Sequence, residues 1–85
     1  CAKCHQEKQG PFLFDHGIKR SDGCIACHAP HGSANRRLLS HTRTRDLCLQ
    51  CHPETPHDLK QARFQNCIAC HSEIHGSDLD RLYRR

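Results

Sequence analysis

The chain has 85 residues, with 13 Lys and Arg against nine Asp and Glu, nine histidines and eight cysteines. That length allows one domain at most. Leu, Ile, Val and Phe together supply only 15 residues, with no Val, Met or Trp, too few for an ordinary apolar core, so something other than peptide has to provide apolar surface if the chain is to fold. No apolar run approaches the roughly 20 residues of a membrane-spanning helix.

In chain order, the first feature is Cys1-Ala2-Lys3-Cys4-His5, followed by Gly10-Pro11, which interrupts any helix, and then His16. Cys24-Ile25-Ala26-Cys27-His28 comes next, with a further imidazole in His31-Gly32-Ser33. A polar linker over Ser40 to Arg45 contains His41. Cys48-Leu49-Gln50-Cys51-His52, His57, Cys67-Ile68-Ala69-Cys70-His71 and His75-Gly76-Ser77 complete the series. Each C-x-x-C-H is expected to start a short helical turn. Ala29-Pro30, His52-Pro53 and Thr55-Pro56 exclude long helices. Asp78 to Arg85 is expected to form a terminal helix with Leu79 and Leu82 on one face. Strand-type alternation is absent, so no sheet beyond an incidental pair is expected.

The order of features repeats, at offsets of 41 to 47 residues. The chain therefore reads as one domain made of two diverged units, about 1–35 and 48–78, joined by the linker. Each unit contains two C-x-x-C-H sequences.

C-x-x-C-H is the attachment signature of a c-type haem: two cysteines form thioethers to the porphyrin and the next histidine binds the iron. All eight cysteines, Cys1, Cys4, Cys24, Cys27, Cys48, Cys51, Cys67 and Cys70, are used by four such sites. Eight cysteines in a small chain could also make a disulfide framework. The 19, 20 and 15 residues between successive C-x-x-C pairs overlap the spacing of zinc ribbons. The adjacent histidines decide between these. With histidine at about one position in ten, four of four following a second cysteine by chance has odds of roughly one in ten thousand. Four covalently bound haem c groups are expected, and the haem-free chain is expected not to fold.

His5, His28, His52 and His71 are the proximal ligands on this reading. Five histidines remain. The repeat matches His16 with His57 and His31 with His75, giving one distal ligand for each of four irons, while His41 has no counterpart and reads as a solvated linker histidine or an alternative ligand to a terminal haem. His31 follows His28 too closely to reach the other face of the same iron and should serve a neighbouring haem, so the haems should be packed side by side. Without methionine, His/Met ligation is excluded. Irons with imidazole on both faces offer no vacant position for a substrate, which argues against an enzyme.

The formal charge of +4 could suggest a polyanion-binding surface. Four haems change the sum, because two propionates against one net ferric charge subtract about one charge per oxidised haem. Lys19, Arg20, Arg36, Arg37, Arg43, Arg45, Arg81, Arg84 and Arg85 then read as propionate partners and solvated surface rather than a nucleic-acid face. Phe12, Phe14, Phe64 and Tyr83 are expected against the porphyrins. Covalent haem attachment takes place outside the cytoplasmic membrane, so the protein is expected to be periplasmic or extracellular, with an export signal removed ahead of Cys1 or the chain cut from a longer one.

The stretch from Cys4-His5 through Gly10-Pro11-Phe12-Leu13-Phe14-Asp15-His16, then Cys24 to Ser33, Leu38-Leu39 and Leu47 to His52, resembles the doubled-CxxCH multihaem c-type cytochromes. It is similar above all to the decahaem periplasmic cytochromes of outer-membrane electron conduits, and more distantly to the pentahaem donor to nitrite reductase. The resemblance spans about residues 1 to 75. It implies bis-histidine haems in one conductive chain, with His16 and His31 at the family's distal positions and His57 and His75 matching less tightly. The fold class implied is mostly irregular with small α content, a compact protein with short helices around a stacked haem chain. The small size also resembles the subunits of extracellular cytochrome filaments, so the expected partners are redox proteins or copies of the chain in a head-to-tail polymer. A discrete soluble electron shuttle is the alternative.

Overall fold

Turn-forming residues recur too often for any helix to lengthen, and a computed structural model, which describes residues 1–84, shows how short the elements are. Helix α1 spans Gln6–Gln9, α2 spans Ile18–Ser21 and α3, with six residues, spans Thr44–Leu49. Single 3-10 turns occupy Gly23–Ala26, Arg36–Leu38, Ala62–Phe64 and Cys67–Ala69. Strands β1 (Phe14–Asp15) and β2 (Gly76–Ser77) pair antiparallel, with Phe14 opposite Ser77 and Asp15 opposite Gly76. Short helices and one incidental strand pair are what the sequence pattern implies.

The expected terminal helix does not form over residues 78–84; Arg85 lies outside the described residues. Side chains satisfy the backbone donors there instead. Ser77 Oγ accepts from the amides of Leu79 and Asp80, each at 3.1 Å, and Asp80 Oδ1 accepts from the Leu82 amide at 3.0 Å. Local bonds of this kind compete with helix formation. Tyr83, at φ 57°, ends the segment in a left-handed turn. Leu79, expected on one face of that helix with Leu82, is 87% exposed.

This last segment packs back across the whole chain. The Leu13 amide donates to Asp78 Oδ1 at 2.7 Å, and Tyr83 Oη donates to the Asp15 carbonyl at 3.1 Å. Lys19 binds the first site to the second: its Nζ donates to the carbonyls of Lys8 and Gln9, both at 3.2 Å, and meets Asp15 Oδ1 at 2.5 Å. The Lys19 ammonium beside it, with Arg20, holds the Asp15 carboxyl below its ordinary range.

No apolar side chain is buried among the described residues, while Leu13 and Ile25 are 72% and 67% exposed. The accessible surface of 6854 Å² is about a third more than a closed globule of this mass presents. The radius of gyration, 13.2 Å, exceeds the roughly 12 Å expected of a compact chain. The polypeptide is arranged as a wrapping rather than as a packed core.

Two outcomes follow from this architecture. Haem-free chain should show a far-ultraviolet circular dichroism spectrum close to that of an unfolded chain, and a near-native spectrum would contradict the absence of a peptide core. Gly76→Ala should lower stability by about 3 kcal/mol, because φ is +145° and an added Cβ would fall 2.2 Å from the Phe12 ring. The thermal midpoint of the loaded protein checks this.

Candidate haem-binding site

The four C-x-x-C-H segments share one backbone turn. The histidine amide donates to the carbonyl of the first cysteine at 2.9 Å for His5, 3.0 Å for His28, 3.0 Å for His52 and 2.9 Å for His71. The second cysteine's amide bonds the same carbonyl at 3.0 to 3.3 Å. The turn places two thiols and an imidazole together each time. One difference from expectation appears at the third site, where Cys48 lies inside α3 and the motif ends a helix instead of starting one.

All eight cysteines are free thiols. Burial, followed by the neighbouring Cys51, raises the Cys27 thiol. Burial and the adjacent Cys67 push Cys48 up to about 11. These neighbours mean that the second, third and fourth attachment turns lie side by side.

The histidines meet in pairs. His16 stacks on His52 with ring centroids 6.3 Å apart and planes 17° apart; His28 and His75 lie at 6.3 Å and 14°; His57 and His71 lie at 6.3 Å and 49°. Each pair joins a histidine of a C-x-x-C-H to one of the four expected as distal. The spacing is wide enough to admit one metal ion between the rings. Metal–imidazole nitrogen bonds of about 2.0–2.1 Å and about 1.1 Å from nitrogen to ring centre put two imidazoles on opposite faces of one metal ion about 6.3 Å apart. Direct aromatic stacking would bring them closer.

Second-layer bonds set the ring orientation. His28 Nδ1 is 2.7 Å from the Arg37 carbonyl and His71 Nδ1 is 2.6 Å from the Leu82 carbonyl. A carbonyl only accepts, so Nδ1 carries the proton and Nε2 is left with a lone pair for a metal. Both clamps rest on left-handed backbone: Arg37 and Leu38 at φ 57° and 55°, Tyr83 at φ 57°. The neighbouring bonds also match, with the Ala29 amide on the Leu38 carbonyl at 2.7 Å and the Glu73 amide on the Tyr83 carbonyl at 2.9 Å. Residues 78–84 thus do for the second unit what the loop 34–39 does for the first. Their sequences share little, and only the paired Ser33 and Ser77, which accept backbone amides two residues on, hint at the equivalence.

Burial lowers the pKa of His16, with the neighbouring His52 adding to it; burial and then Lys8 lower that of His75. Both stay neutral, the form that binds a metal. Aromatic side chains touch the imidazoles: Tyr83 tilts against His16 at 5.5 Å, and Phe64 stacks on His57 at 4.5 Å. Phe12 instead packs against Gly76 and under Lys19 Nζ.

His5 and His31 are exposed, and neither has a second imidazole stacked on it among the described residues. His41 is half-buried, with Ser40 Oγ 3.2 Å from Nδ1 and Gln50 Nε2 2.5 Å from Nε2. Among the described residues no three His, Cys, Asp or Glu side chains converge as a metal-holding group. Paired imidazoles beside paired thiols fit a haem rather than the four converging ligands of a structural zinc ion. Of the expected propionate partners, Lys19 and Arg20 pair with Asp15, Arg43 with Asp46 and Arg84 with Asp80; Arg85 lies outside the described residues.

The doubled CXXCH motif family model matches residues 16–57. The multiheme cytochrome MtrA of Shewanella baltica is 36% identical over 94 aligned residues, which take in 92% of this chain and 28% of that protein. The high-molecular-weight cytochrome c of Nitratidesulfovibrio vulgaris is 34% identical over 55 residues, 60% of this chain and 10% of that protein. The chain therefore spans little more than a quarter of the longer-matched relative and a tenth of the other.

With both ring nitrogens of His41 already contacted, His41→Ala should leave the visible spectrum of the loaded protein unchanged. A new high-spin band would make His41 a ligand.

Proposed function

The chain belongs to the doubled-CxxCH multihaem c-type cytochromes, and we propose that it relays electrons through four covalently bound, closely packed haems outside the cytoplasm. The observation that carries this reading is the set of three imidazole pairs at 6.3 Å. Haem c, when bound, supplies a one-electron iron couple. The chain's own residues do the rest. Cys1 and Cys4, Cys24 and Cys27, Cys48 and Cys51, and Cys67 and Cys70 hold the four porphyrins. His5, His28, His52 and His71 would supply the proximal ligands. His75, His16 and His57, which meet His28, His52 and His71, would supply the second ligands to those haems. Two imidazoles on one iron, with His28 and His71 held by backbone carbonyls, would keep ligation the same in both oxidation states and limit reorganisation. Held so, those three irons would offer no face to a substrate, which supports relay over catalysis.

The crossing of the pairs favours an array over a solitary shuttle. His52 of the second unit is faced by His16 of the first, and His28 of the first by His75 of the second. Applied one unit further, the same rule gives His5 a distal imidazole from a neighbouring haem unit and gives His31 an iron in it. A copy of the chain or another doubled-CxxCH unit fits that role. Assembly would place this chain among the wire-forming cytochromes; a discrete periplasmic shuttle is the second reading. No described helix is long and apolar enough to cross a membrane, and haem attachment takes place on the outer side of the cytoplasmic membrane.

Mass spectrometry should find four haems. His16→Ala, His75→Ala and His57→Ala should each keep four haems and turn one of them high-spin: those on Cys48/Cys51, Cys24/Cys27 and Cys67/Cys70 respectively. A low-spin spectrum in all three variants would sink the ligand assignment. In dilute monomer, identified by sedimentation, the haem at His5 should bind carbon monoxide, and assembled material should not.

A further inference from the structure

A second kind of site lies beside the haem attachment turns. A cavity of about 540 Å³ opens between the loop 34–45 and the approach to the fourth C-x-x-C-H, and Arg36, Arg37, Arg43 and Arg45 all line it, with His41 and Asn35. No Asp or Glu lines it. Arg43 is paired, with Nε 2.8 Å from Asp46 Oδ2. Arg36 and Arg37 make no ion pair among the described residues. Arg45 donates from one terminal nitrogen to Gln65 Oε1, while its Nε is buried without a hydrogen-bond partner.

A buried guanidinium nitrogen with nothing to donate to is costly. Several like charges around one cavity also repel one another unless an anion lies between them. The surrounding loop is fixed. Asn35 Nδ2 donates to the Leu39 carbonyl at 2.9 Å and Thr42 Oγ1 to Asn35 Oδ1 at 3.1 Å. Arg37 is held by its carbonyl on the His28 ring. Four arginines therefore line one cavity on a loop with its own bonds, and planar guanidinium forks match carboxylates in two-point contacts.

We propose that this cavity is an oxyanion site that takes carboxylate groups. Two sources share that chemistry, a free polycarboxylate and a propionate of one of the chain's haems, and the site rests on the haem reading for its fold.

The test uses the loaded protein, wild type and the triple variant R36Q/R37Q/R45Q, with haem number checked by mass. Calorimetric titration with citrate comes first. If the source is a free carboxylate, wild type binds one citrate, more weakly as sodium chloride is raised, and the triple variant binds at least about tenfold more weakly. If the source is a propionate, wild type binds no citrate, and the triple variant lowers the midpoint potential of one haem, because lost positive charge favours the ferric form. Citrate binding that the variant leaves unchanged, or no binding together with unaltered potentials, overturns the proposal. Should the triple variant fail to load, phenylglyoxal labelling of wild type replaces it. Arg36, Arg37 and Arg45 should be protected by citrate or, without citrate, label more slowly than Arg20; labelling at the rate of Arg20 with and without citrate would overturn the site. A protein lacking haem would show in the mass, so failure of the haem reading is told apart from failure of the site.

Discussion

The architecture depends on imidazole pairs that cross between the two halves of the chain. His16 meets His52 and His28 meets His75, residues 36 and 47 positions apart by subtraction of their numbers. Closing loops of that length costs conformational entropy, and no buried apolar side chain is present among the described residues to offset it. Under the proposed ligation, two metal–nitrogen bonds on one iron replace hydrophobic burial as the long-range contact. The peptide contribution is correspondingly local: turns, single 3-10 segments, and a two-residue strand pair that brings β1 beside β2 next to His16 and His75.

The strained residues fall where that dependence is greatest. Left-handed backbone at Arg37, Leu38 and Tyr83 is uncommon for residues with a Cβ, and each instance lies at a carbonyl clamp on a proximal histidine or beside it. Positive φ at Gly76, with the Phe12 ring against it, serves the same end, since it turns the chain between His75 and the strand pair. Strain collected at ligand-orienting positions is typical of sites whose geometry the surrounding structure over-determines.

What could be read from the residue order follows the same division. C-x-x-C-H is a local constraint, so the four turns and their thiols were legible, as were the short elements imposed by Pro and Gly. The repeat marked His16, His57 and His75, which each meet the histidine of a C-x-x-C-H, and His31, which meets none among the described residues. Their partners were not legible, since repeat symmetry alone suggests equivalent pairing in both units, whereas the structure pairs His57 with His71 inside one unit and sends His16 and His75 across to the other. The terminal segment misled for a related reason. Asp78, Leu79 and Leu82 have helical spacing, but Ser77 and Asp80 accept the backbone amides that a helix would use. Its true role, supplying the Leu82 carbonyl to His71, is a backbone function that leaves no side-chain signature. His41 was ambiguous in sequence because a lone imidazole in a polar linker looks the same whether it faces a metal or a glutamine.

The histidines of the chain are not all held alike. His57 turns back onto His71 within the same unit, with the planes at 49° where the crossing pairs lie at 17° and 14°. His5 and His31 are exposed and unpaired among the described residues. On the proposed assembly, a neighbour would be added at these two histidines. Separation of His57 from His71 would present the complementary set, a free imidazole and a half-ligated attachment site, to the His5 and His31 of a second molecule. On the proposed assembly, that exchange would break one imidazole pair and form two at each junction. Phe64, stacked on His57 at 4.5 Å, is the side chain packed against the ring that such an exchange would have to move.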